Sequence, residues 1–266
     1  MAGRLNKILF RILLPRGGKF RIKPYLETGW KSGKIKINNT PLRFLFHTPE
    51  NISETKYSVL LAHPYLSEGR YFFIRSGIAD MYRQLGCNLY ICDFNGFGRS
   101  PFRDFDFEKD LIATGNHIIN EHPETKVILH GISFGAAQSI IACTQNHHPF
   151  NGLIIENCLD HNLSYFKVRS RKLYYLLRFL NMLRPESAKK HHYTERIAEL
   201  RFLSAVLFIY CDADTLTTSE MGSKLYDKTA IPSTMQILQG VHLEASAHDA
   251  SEYRSVLERF LSSLYA

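Results

Sequence analysis

Short, solid apolar runs recur along this chain, and each ends abruptly at a polar residue, a glycine or a proline. Between several of them, at about 70–85, 107–120 and 134–146, apolar side chains follow helical spacing. Solid runs that alternate with helices are typical of a mostly parallel sheet covered by helices on both faces, so the predicted fold class is α/β. The predicted strands are Tyr57–Ala62, Asn88–Cys92, Val127–His130, Leu153–Ile155, Ala205–Tyr210 and Met235–Leu238.

Further predicted elements lie before and after this alternating pattern. Before it, Lys34–Asn38 and Leu42–Phe46 predict two strands joined by a turn at residues 39–41. After it, apolar residues between 253 and 264 follow helical spacing, and Asp249 with Glu252 resembles a capping box. The last helix is therefore expected to begin close to these residues, with His248 on its first turn.

Residues 158–204 interrupt the alternation of strands and helices. They are rich in helix formers, and Leu173–Leu183 is mostly apolar with Arg178 inside it. Because sites in α/β enzymes lie at the carboxyl ends of the strands, a helical insertion here would form a cap over the site. Its apolar side chains could line an apolar tunnel or pack the cap onto the body. They are Leu173, Tyr174, Tyr175, Leu176, Leu177, Phe179, Leu180 and Leu183.

The most specific motif is Gly131-Ile132-Ser133-Phe134-Gly135, which follows the run KVILH and opens the helical pattern FGAAQSIIA. A G-x-S-x-G motif between a strand and a helix predicts a nucleophile elbow, a sharp turn that exposes the serine. The glycines are needed because a side chain there would clash with the neighbouring strand and helix. Ser133 is therefore the candidate nucleophile.

A serine hydroxyl needs a base, and the base needs an acid to orient it. After an elbow these partners follow in the order acid, then histidine. His242 follows a short strand and a glycine, so a loop can carry it to Ser133. Asp212 and Asp214 both follow the strand Ala205–Tyr210. We favour Asp214, which stands at the turn, and expect Asp212 to hydrogen-bond its own backbone.

An oxyanion hole requires backbone N–H groups aimed at the developing negative charge. One donor is expected from Phe134, the residue after the nucleophile. The other is expected from the loop after Tyr57–Ala62, where Pro64 has no N–H. Tyr65 and Leu66 both remain as donors, and we favour Tyr65.

The net charge of +8 is concentrated in two segments. Residues 1–36 contain 10 basic and 1 acidic side chains, and residues 158–204 contain 10 and 4. Neither segment has a recognised nucleic-acid-binding motif, so no nucleic-acid partner is expected. The two segments instead indicate an anionic surface or headgroup near the site.

The N-terminal segment has the pattern of a basic amphipathic helix. Arg4, Lys7 and Arg11 share one helical face, and the opposite face consists of Leu5, Ile8, Leu9, Ile12 and Leu13. Such a helix could contact an anionic membrane peripherally, dock on the body of its own protein, or act as an organelle transit peptide, although it lacks the usual serines. We expect an arm over residues 1–33 ahead of a domain over 34–266.

Cysteine usage and hydropathy bear on location. The five cysteines include no C-x-x-C pair, which favours free thiols in a reducing compartment. No stretch of about 18 apolar residues exists, so no membrane-spanning helix is predicted. A cytoplasmic location, with peripheral contact at a membrane surface as an option, is expected.

With these motifs in order, residues 34–266 resemble the α/β-hydrolase family, in its serine aminopeptidase and monoglyceride-lipase-like branch. The residues that carry the resemblance are His63-Pro64, the D-x-x-G-x-G-x-S stretch Asp93–Ser100, the elbow at 131–135, Asp214 and His242. Pro64 departs from the pattern, since many members have glycine there, and this bears on the oxyanion geometry.

The resemblance implies an α/β-hydrolase fold with a helical cap, and a serine hydrolase that needs no metal or organic cofactor. Ser133 would attack an acyl carbonyl, His242 would take its proton and Asp214 would orient His242. Tyr65 and Phe134 would bind the oxyanion. The expected substrate is a small-molecule or lipid carboxylic ester. A thioesterase, an aminopeptidase and a non-catalytic binding protein on the same fold are the alternatives.

Overall fold

The computed structural model describes residues 2–14, 23–50, 55–183 and 185–264. Within these residues, eight strands form one sheet. They are β1 (Lys31–Ile37), β2 (Thr40–His47), β3 (Tyr57–Ala62), β4 (Asn88–Cys92), β5 (Lys126–Ile132), β6 (Gly152–Glu156), β7 (Ala205–Cys211) and β8 (Ser233–Leu238). Their order across the sheet is β1-β2-β4-β3-β5-β6-β7-β8. Only the β1–β2 and β2–β4 pairs are antiparallel, so the prediction of a mostly parallel sheet is confirmed.

Helices surround this sheet. They are α1 (Ala2–Leu13), α2 (Tyr71–Arg75), α3 (Ile78–Gln84), α4 (Glu108–Glu121), α5 (Phe134–Cys143), α6 (Asn162–Arg169), α7 (Arg171–Leu183), α8 (Pro185–Lys190), α9 (Tyr193–Arg196), α10 (Ser219–Lys228), α11 (Ala245–His248) and α12 (Ala250–Ser263). Short 3-10 helices cover Pro24–Glu27 and Ile197–Glu199.

The two faces of the sheet carry separate apolar cores. In β3, Leu60 and Ala62 belong to the cluster that includes α4 and α5, whereas Val59 and Leu61 belong to the cluster that includes α2, α3 and α12. Because side chains alternate across a strand, both faces of β3 are buried, which explains why its sequence is a solid apolar run. The α/β class with helices on both faces is confirmed.

Two local predictions differ from the structure. The helix expected at 70–85 is two helices, because Gly77 adopts a left-handed φ of 78° between α2 and α3. The hairpin turn lies at Asn38 and Asn39, with φ of 49° and 62°, so Thr40 already belongs to β2. Consecutive left-handed residues suit the right-handed twist of paired strands, and asparagine tolerates that conformation better than most residues.

The C-terminal helix begins where the capping signal placed it. The side chain of Asp249 accepts hydrogen bonds from the N–H groups of Ser251 and Glu252 at 3.0 and 2.9 Å. His248 does not lie on the first turn of α12, because it ends the separate short helix α11.

Between β6 and β7 the chain forms α6, α7, α8 and α9, within the segment expected to be a cap. The ammonium of Lys190, at the end of α8, bonds to carboxylates of Asp106 and Glu108, each at 2.8 Å. No residue of α7 is buried. Several of its apolar side chains are exposed, so they neither line a tunnel nor pack on the body as expected. They are Tyr175, Leu176, Phe179, Leu180 and Leu183.

The N-terminal helix α1 is attached to the body through Phe10. This ring is buried and stacks on Phe102 at 4.3 Å, with Phe97 and Phe105 also nearby. Residues 15–22 of the expected arm, and the side chains of Arg4 and Leu5, lie outside the described residues. Strand β1 begins at Lys31, ahead of the expected arm boundary.

Two further features concern the thiols and the membrane. All five cysteines are buried and their thiols are free. Burial raises the pKa of the Cys87 thiol to about 12. Within the described ranges, none of the helices combines the length and the hydropathy that a membrane crossing requires.

Candidate active site

Ser133 stands on a sharp turn between β5 and α5. Its backbone has φ of 53° and ψ of −110°, an unusual conformation for a residue with a side chain. The turn is fixed on the neighbouring strand, since the N–H of Ser133 donates to the carbonyl of Glu156 at 2.8 Å. The side chain of Ser133 remains half-buried, so a substrate can reach it.

The two glycines of the motif have the steric reason that the sequence indicated. A Cβ at Gly135 would lie 1.9 Å from the carbonyl oxygen of Ala62, at the end of β3. A Cβ at Gly131 would lie 2.4 Å from the hydroxyl of Ser139 and 2.6 Å from the carbonyl oxygen of Gly135. Only glycine lets the strand and helix approach this closely.

His242 lies on the loop between β8 and α11, at the same carboxyl edge of the sheet as Ser133. Its Nε2 atom is 3.2 Å from the hydroxyl oxygen of Ser133. Its Nδ1 atom is 2.6 Å from Oδ2 of Asp214. The structure thus brings three residues from three separate loops into one hydrogen-bonded line, in the geometry that a serine nucleophile requires.

The Asp214 carboxylate is held by several donors. Oδ2 accepts hydrogen bonds from the Asn157 amide and the Thr217 hydroxyl, each at 2.5 Å, besides His242. Oδ1 accepts the N–H groups of Leu216 and Thr217 at 2.8 and 2.9 Å. Burial alone would raise the pKa of Asp214, but the hydrogen bonds from His242 and Thr217 outweigh it and lower the pKa to about 2. The carboxylate is ionised throughout the neutral range.

Asp212 lies elsewhere and has another contact. Its side chain is exposed, and Oδ1 accepts the N–H of Gly240 at 3.0 Å. The expectation that the second aspartate would bond its own backbone in the turn was wrong, because Gly240 belongs to the loop that carries His242. Asp212 therefore ties that loop to the end of β7, while Asp214 meets the imidazole.

Sequence reasoning missed Asn157 and Thr217. Asn157 directly follows β6, with a left-handed φ of 49°, and reaches across to Asp214. Thr217 lies three residues after Asp214, and its hydroxyl is 3.0 Å from Nδ1 of His242 as well as bonded to the carboxylate. The available signal was position, since both residues follow parallel strands at the carboxyl edge where sites lie.

Replacing Thr217 with valine is expected to lower kcat about tenfold, since one hydrogen bond to a charged group is lost. KM should change little, because Thr217 holds Asp214 and His242 instead of touching substrate. Thr217→Ser keeps the hydroxyl and should restore most of kcat. Steady-state kinetics of the three proteins measure this, and equal losses for both variants would contradict a positioning role for the hydroxyl.

The residues expected to form the oxyanion hole lie next to each other. The rings of Tyr65 and Phe134 have centroids 6.2 Å apart, and Phe134 is the first residue of α5. The N–H of Leu66 donates to the carbonyl of Pro64 at 2.8 Å, so this alternative donor is engaged within its own loop. The role of both amides stays a prediction.

Aromatic side chains form a wall beside the elbow. The Phe134 ring packs against Phe94, Phe97 and Phe107, with centroid distances between 5.3 and 6.0 Å. His63 lies behind them, 4.9 Å from the Phe94 ring, and is completely buried. Burial lowers its pKa to about 4, so His63 is a neutral part of this wall at neutral pH.

The loop that carries this wall is anchored by buried charges. Asp93 bonds to the guanidinium of Arg70 and to the N–H of Arg99, both at 3.0 Å. Burial of Asp93 raises its pKa to about 6 in spite of the adjacent Arg70. Further along, Asp110 bonds to Arg103 at 2.9 Å and to the backbone of Asn95 at 2.7 Å.

The sequence matches the model of one known protein family. The family model described as serine aminopeptidase, S33, matches residues 53–197, more than half of the chain. The chain belongs to this family. The match covers Ser133 and the loop after β4, and it ends before Asp214 and His242. A comparison with curated protein sequences gives no match.

Solved structures are similar over almost the whole length. An esterase of Pyrococcus furiosus, Pf2001, is 17% identical with a TM-score of 0.70, covering 91% of this chain and 93% of that chain. XC6422 of Xanthomonas campestris, described as an α/β serine hydrolase without a lid, is 16% identical at 0.62, covering 87% and 93%. A thioesterase domain from the curacin biosynthetic pathway is 13% identical at 0.58, covering 86% and 99%. These similarities show the α/β-hydrolase fold.

Proposed function

We propose that this protein is a serine hydrolase that cleaves carboxylic esters through an acyl-serine intermediate. The observation that carries the proposal is the line of hydrogen bonds from Ser133 through His242 to Asp214, with distances of 3.2 and 2.6 Å. Membership of a hydrolase family supports the same reaction type.

The reaction proceeds in two halves. The hydroxyl oxygen of Ser133 attacks the ester carbonyl while Nε2 of His242 takes its proton, and the Asp214 carboxylate stabilises the imidazolium that forms. The N–H groups of Tyr65 and Phe134 bind the oxyanion. When the tetrahedral intermediate collapses, His242 protonates the departing alcohol. His242 then deprotonates a water molecule, which attacks the acyl-serine, releases the carboxylic acid and restores Ser133.

The aromatic wall favours an apolar acyl group. Phe134 is the partly exposed ring next to the nucleophile, with Phe94 and Phe97 buried behind it, and an aromatic ring in this position buries apolar surface well. An acyl chain of lipid-like length is therefore the substrate class we propose. A thioester or an aminoacyl amide would use the same nucleophile, so a substrate panel has to discriminate between them.

A fluorophosphonate probe tests the hydrolase proposal directly. The intact protein should be labelled covalently, and Ser133→Ala should not be. Ser223→Ala, at an exposed serine on α10, is the matched control and should be labelled like the wild type. Absence of labelling in the folded wild type, or full labelling of Ser133→Ala, would refute the proposal and favour a binding protein.

A substrate panel is measured on the unlabelled protein, because the probe blocks Ser133. p-Nitrophenyl esters of increasing acyl length should show a rising kcat/KM, because each added methylene meets the aromatic wall. A kcat/KM that does not change with acyl length would contradict a lipid-like acyl group as the substrate class. Faster turnover of matched thioesters or aminoacyl anilides than of the oxygen ester would assign the activity to a thioesterase or an aminopeptidase.

A further inference from the structure

Exposed apolar side chains are concentrated on two helices. Fourteen large hydrophobic residues in the described part of the chain are exposed, and nine of them lie on α1 or α7. On α1 they are Ile8, Leu9 and Ile12, and on α7 they are Tyr175, Leu176, Phe179, Leu180, Met182 and Leu183. Ile12 is 60% exposed and Met182 is 69% exposed. Patches of this kind on a folded protein mark an interaction surface.

Both helices are basic and neither contains an acidic residue. Lys7 and Arg11 accompany the apolar residues of α1, and both are exposed. Arg171, Lys172 and Arg178 accompany those of α7. Basic side chains beside an apolar stripe complement an anionic lipid surface, where headgroups attract the charges and the acyl region takes up the apolar side chains.

The two helices are linked to one loop, residues 94–107, beside the candidate active site: α1 packs on it directly, and α7 is connected to it through α8, the helix that follows. The Phe10 ring of α1 packs on Phe102 and Phe105 of that loop. Lys190, which ends the helix after α7, bonds to Asp106 in the same loop. Phe94 and Phe107, at its two ends, contact Phe134 next to the nucleophile.

We propose that α1 and α7 together form a docking surface for an anionic lipid bilayer, at the rim of the site that contains Ser133. The surface does not depend on the hydrolase activity, because its residues are separate from the site. Docking would bring the site to the bilayer, so that an acyl chain could pass from the lipid to the aromatic wall.

Vesicle sedimentation tests this surface with full-length protein in the Ser133→Ala background, in which hydrolysis cannot alter the vesicles. The protein should bind phosphatidylcholine vesicles that contain phosphatidylserine, and bind less well to phosphatidylcholine alone or at high salt. Ile8→Ser with Ile12→Ser, and separately Phe179→Ser with Met182→Ser, should each lower the partition coefficient at least about tenfold. Because these side chains are exposed, the folded state should be retained.

The matched control substitutes exposed apolar residues elsewhere, Ile119→Ser with Ile237→Ser, and should bind like the unsubstituted protein. No binding by the unsubstituted protein, or equal losses in the control, would overturn the proposal. A loss confined to one helix would overturn the joint surface. If the exposed faces instead join two copies of the chain, sedimentation velocity would show a dimer that the serine variants abolish, and vesicle binding would be absent.

Discussion

Replacing Asp214 with asparagine is expected to lower kcat about 10⁴-fold while KM changes little. Oδ1 of Asp214 accepts two backbone N–H groups, so the oxygen of an asparagine side chain would occupy that position. Its NH₂ group would then occupy the position of Oδ2 and donate to Nδ1 of His242. The imidazole would carry its proton on Nε2 and could not accept one from Ser133. Steady-state kinetics on a p-nitrophenyl ester measure the loss.

The same substitution has a structural cost that must be separated from the chemical one. The new NH₂ group would face the amide donor of Asn157, which now bonds to Oδ2 at 2.5 Å. Two opposed donors destabilise the folded state. A thermal unfolding curve of Asp214→Asn should therefore be recorded to show whether the variant is folded at the assay temperature. A folded protein with low kcat supports the tautomer argument, whereas an unfolded one calls for Asp214→Ala with added formate to restore activity.

Asp212→Asn is the matched control for this prediction. Asparagine keeps an oxygen that can accept the N–H of Gly240, and the side chain of Asp212 is exposed, so kcat should stay close to that of the wild type. A large loss in Asp212→Asn together with a small loss in Asp214→Asn would exchange the roles of the two aspartates.

The fold could be predicted because its strands are buried on both faces. A strand such as β3 has to be apolar at successive positions, because Leu60 packs in one core and Leu61 in the other. Helices between such strands restrict the chain to a few possible sheet topologies. The splitting of α2 from α3 could not be predicted, since Gly77 is tolerated in a helix unless tertiary packing asks for a turn there.

The part of the site that follows from local motifs and from the order of residues along the chain could be predicted. Ser133 has a local motif, and His242 follows a strand at the expected place. Position in the turn favours Asp214 over Asp212, but only the three-dimensional structure shows that the Asp214 side chain contacts His242. Asn157 has no local motif, because its contact with Asp214 joins two different loops.

Buried polar residues and exposed apolar residues are the features that sequence patterns conceal. His130 reads as the end of an apolar strand, yet Nε2 lies 3.1 Å from the carboxylate of Glu156, which also accepts the Tyr253 hydroxyl at 2.5 Å. This buried network adjoins the elbow, because the backbone carbonyl of Glu156 accepts the N–H of Ser133. Conversely, the apolar pattern of α7 is the same whether the helix packs on the body or faces outward. Whether His130 is buried and whether α7 is exposed both depend on residues that are distant in sequence.

Replacing Arg70 with methionine is expected to destabilise the folded state by about 3–5 kcal/mol at pH 7.5, because it leaves the Asp93 carboxylate buried without its ion pair. Arg70 is 1% exposed and joins Asp93 to Glu27, with N–O distances of 3.0 and 2.5 Å. The measurement is urea denaturation. Arg75→Met, which removes an exposed ion pair with Glu68, should cost no more than about 1 kcal/mol.

The pH dependence of this loss has a definite sign. The pKa of Asp93 is about 6 in the folded protein, above the ordinary value of about 3.9 in an unfolded chain. The folded state therefore binds this proton more tightly, and the contribution of Asp93 to stability falls as pH rises from about 4 to about 6. Without Arg70 the pKa of Asp93 in the folded protein rises further, so the pH range over which stability falls extends to higher pH.

Arg70→Met should consequently lose less stability at pH 5, where Asp93 can stay protonated, than at pH 7.5. Adding Asp93→Asn to Arg70→Met removes the buried charge, so the double variant should recover part of the loss at pH 7.5. Equal losses at both pH values, with no recovery in the double variant, would show that Arg70 acts through the packing of its side chain. Since Asp93 immediately precedes the loop that carries the aromatic wall and packs against α1, its charge state couples the stability of that loop to pH.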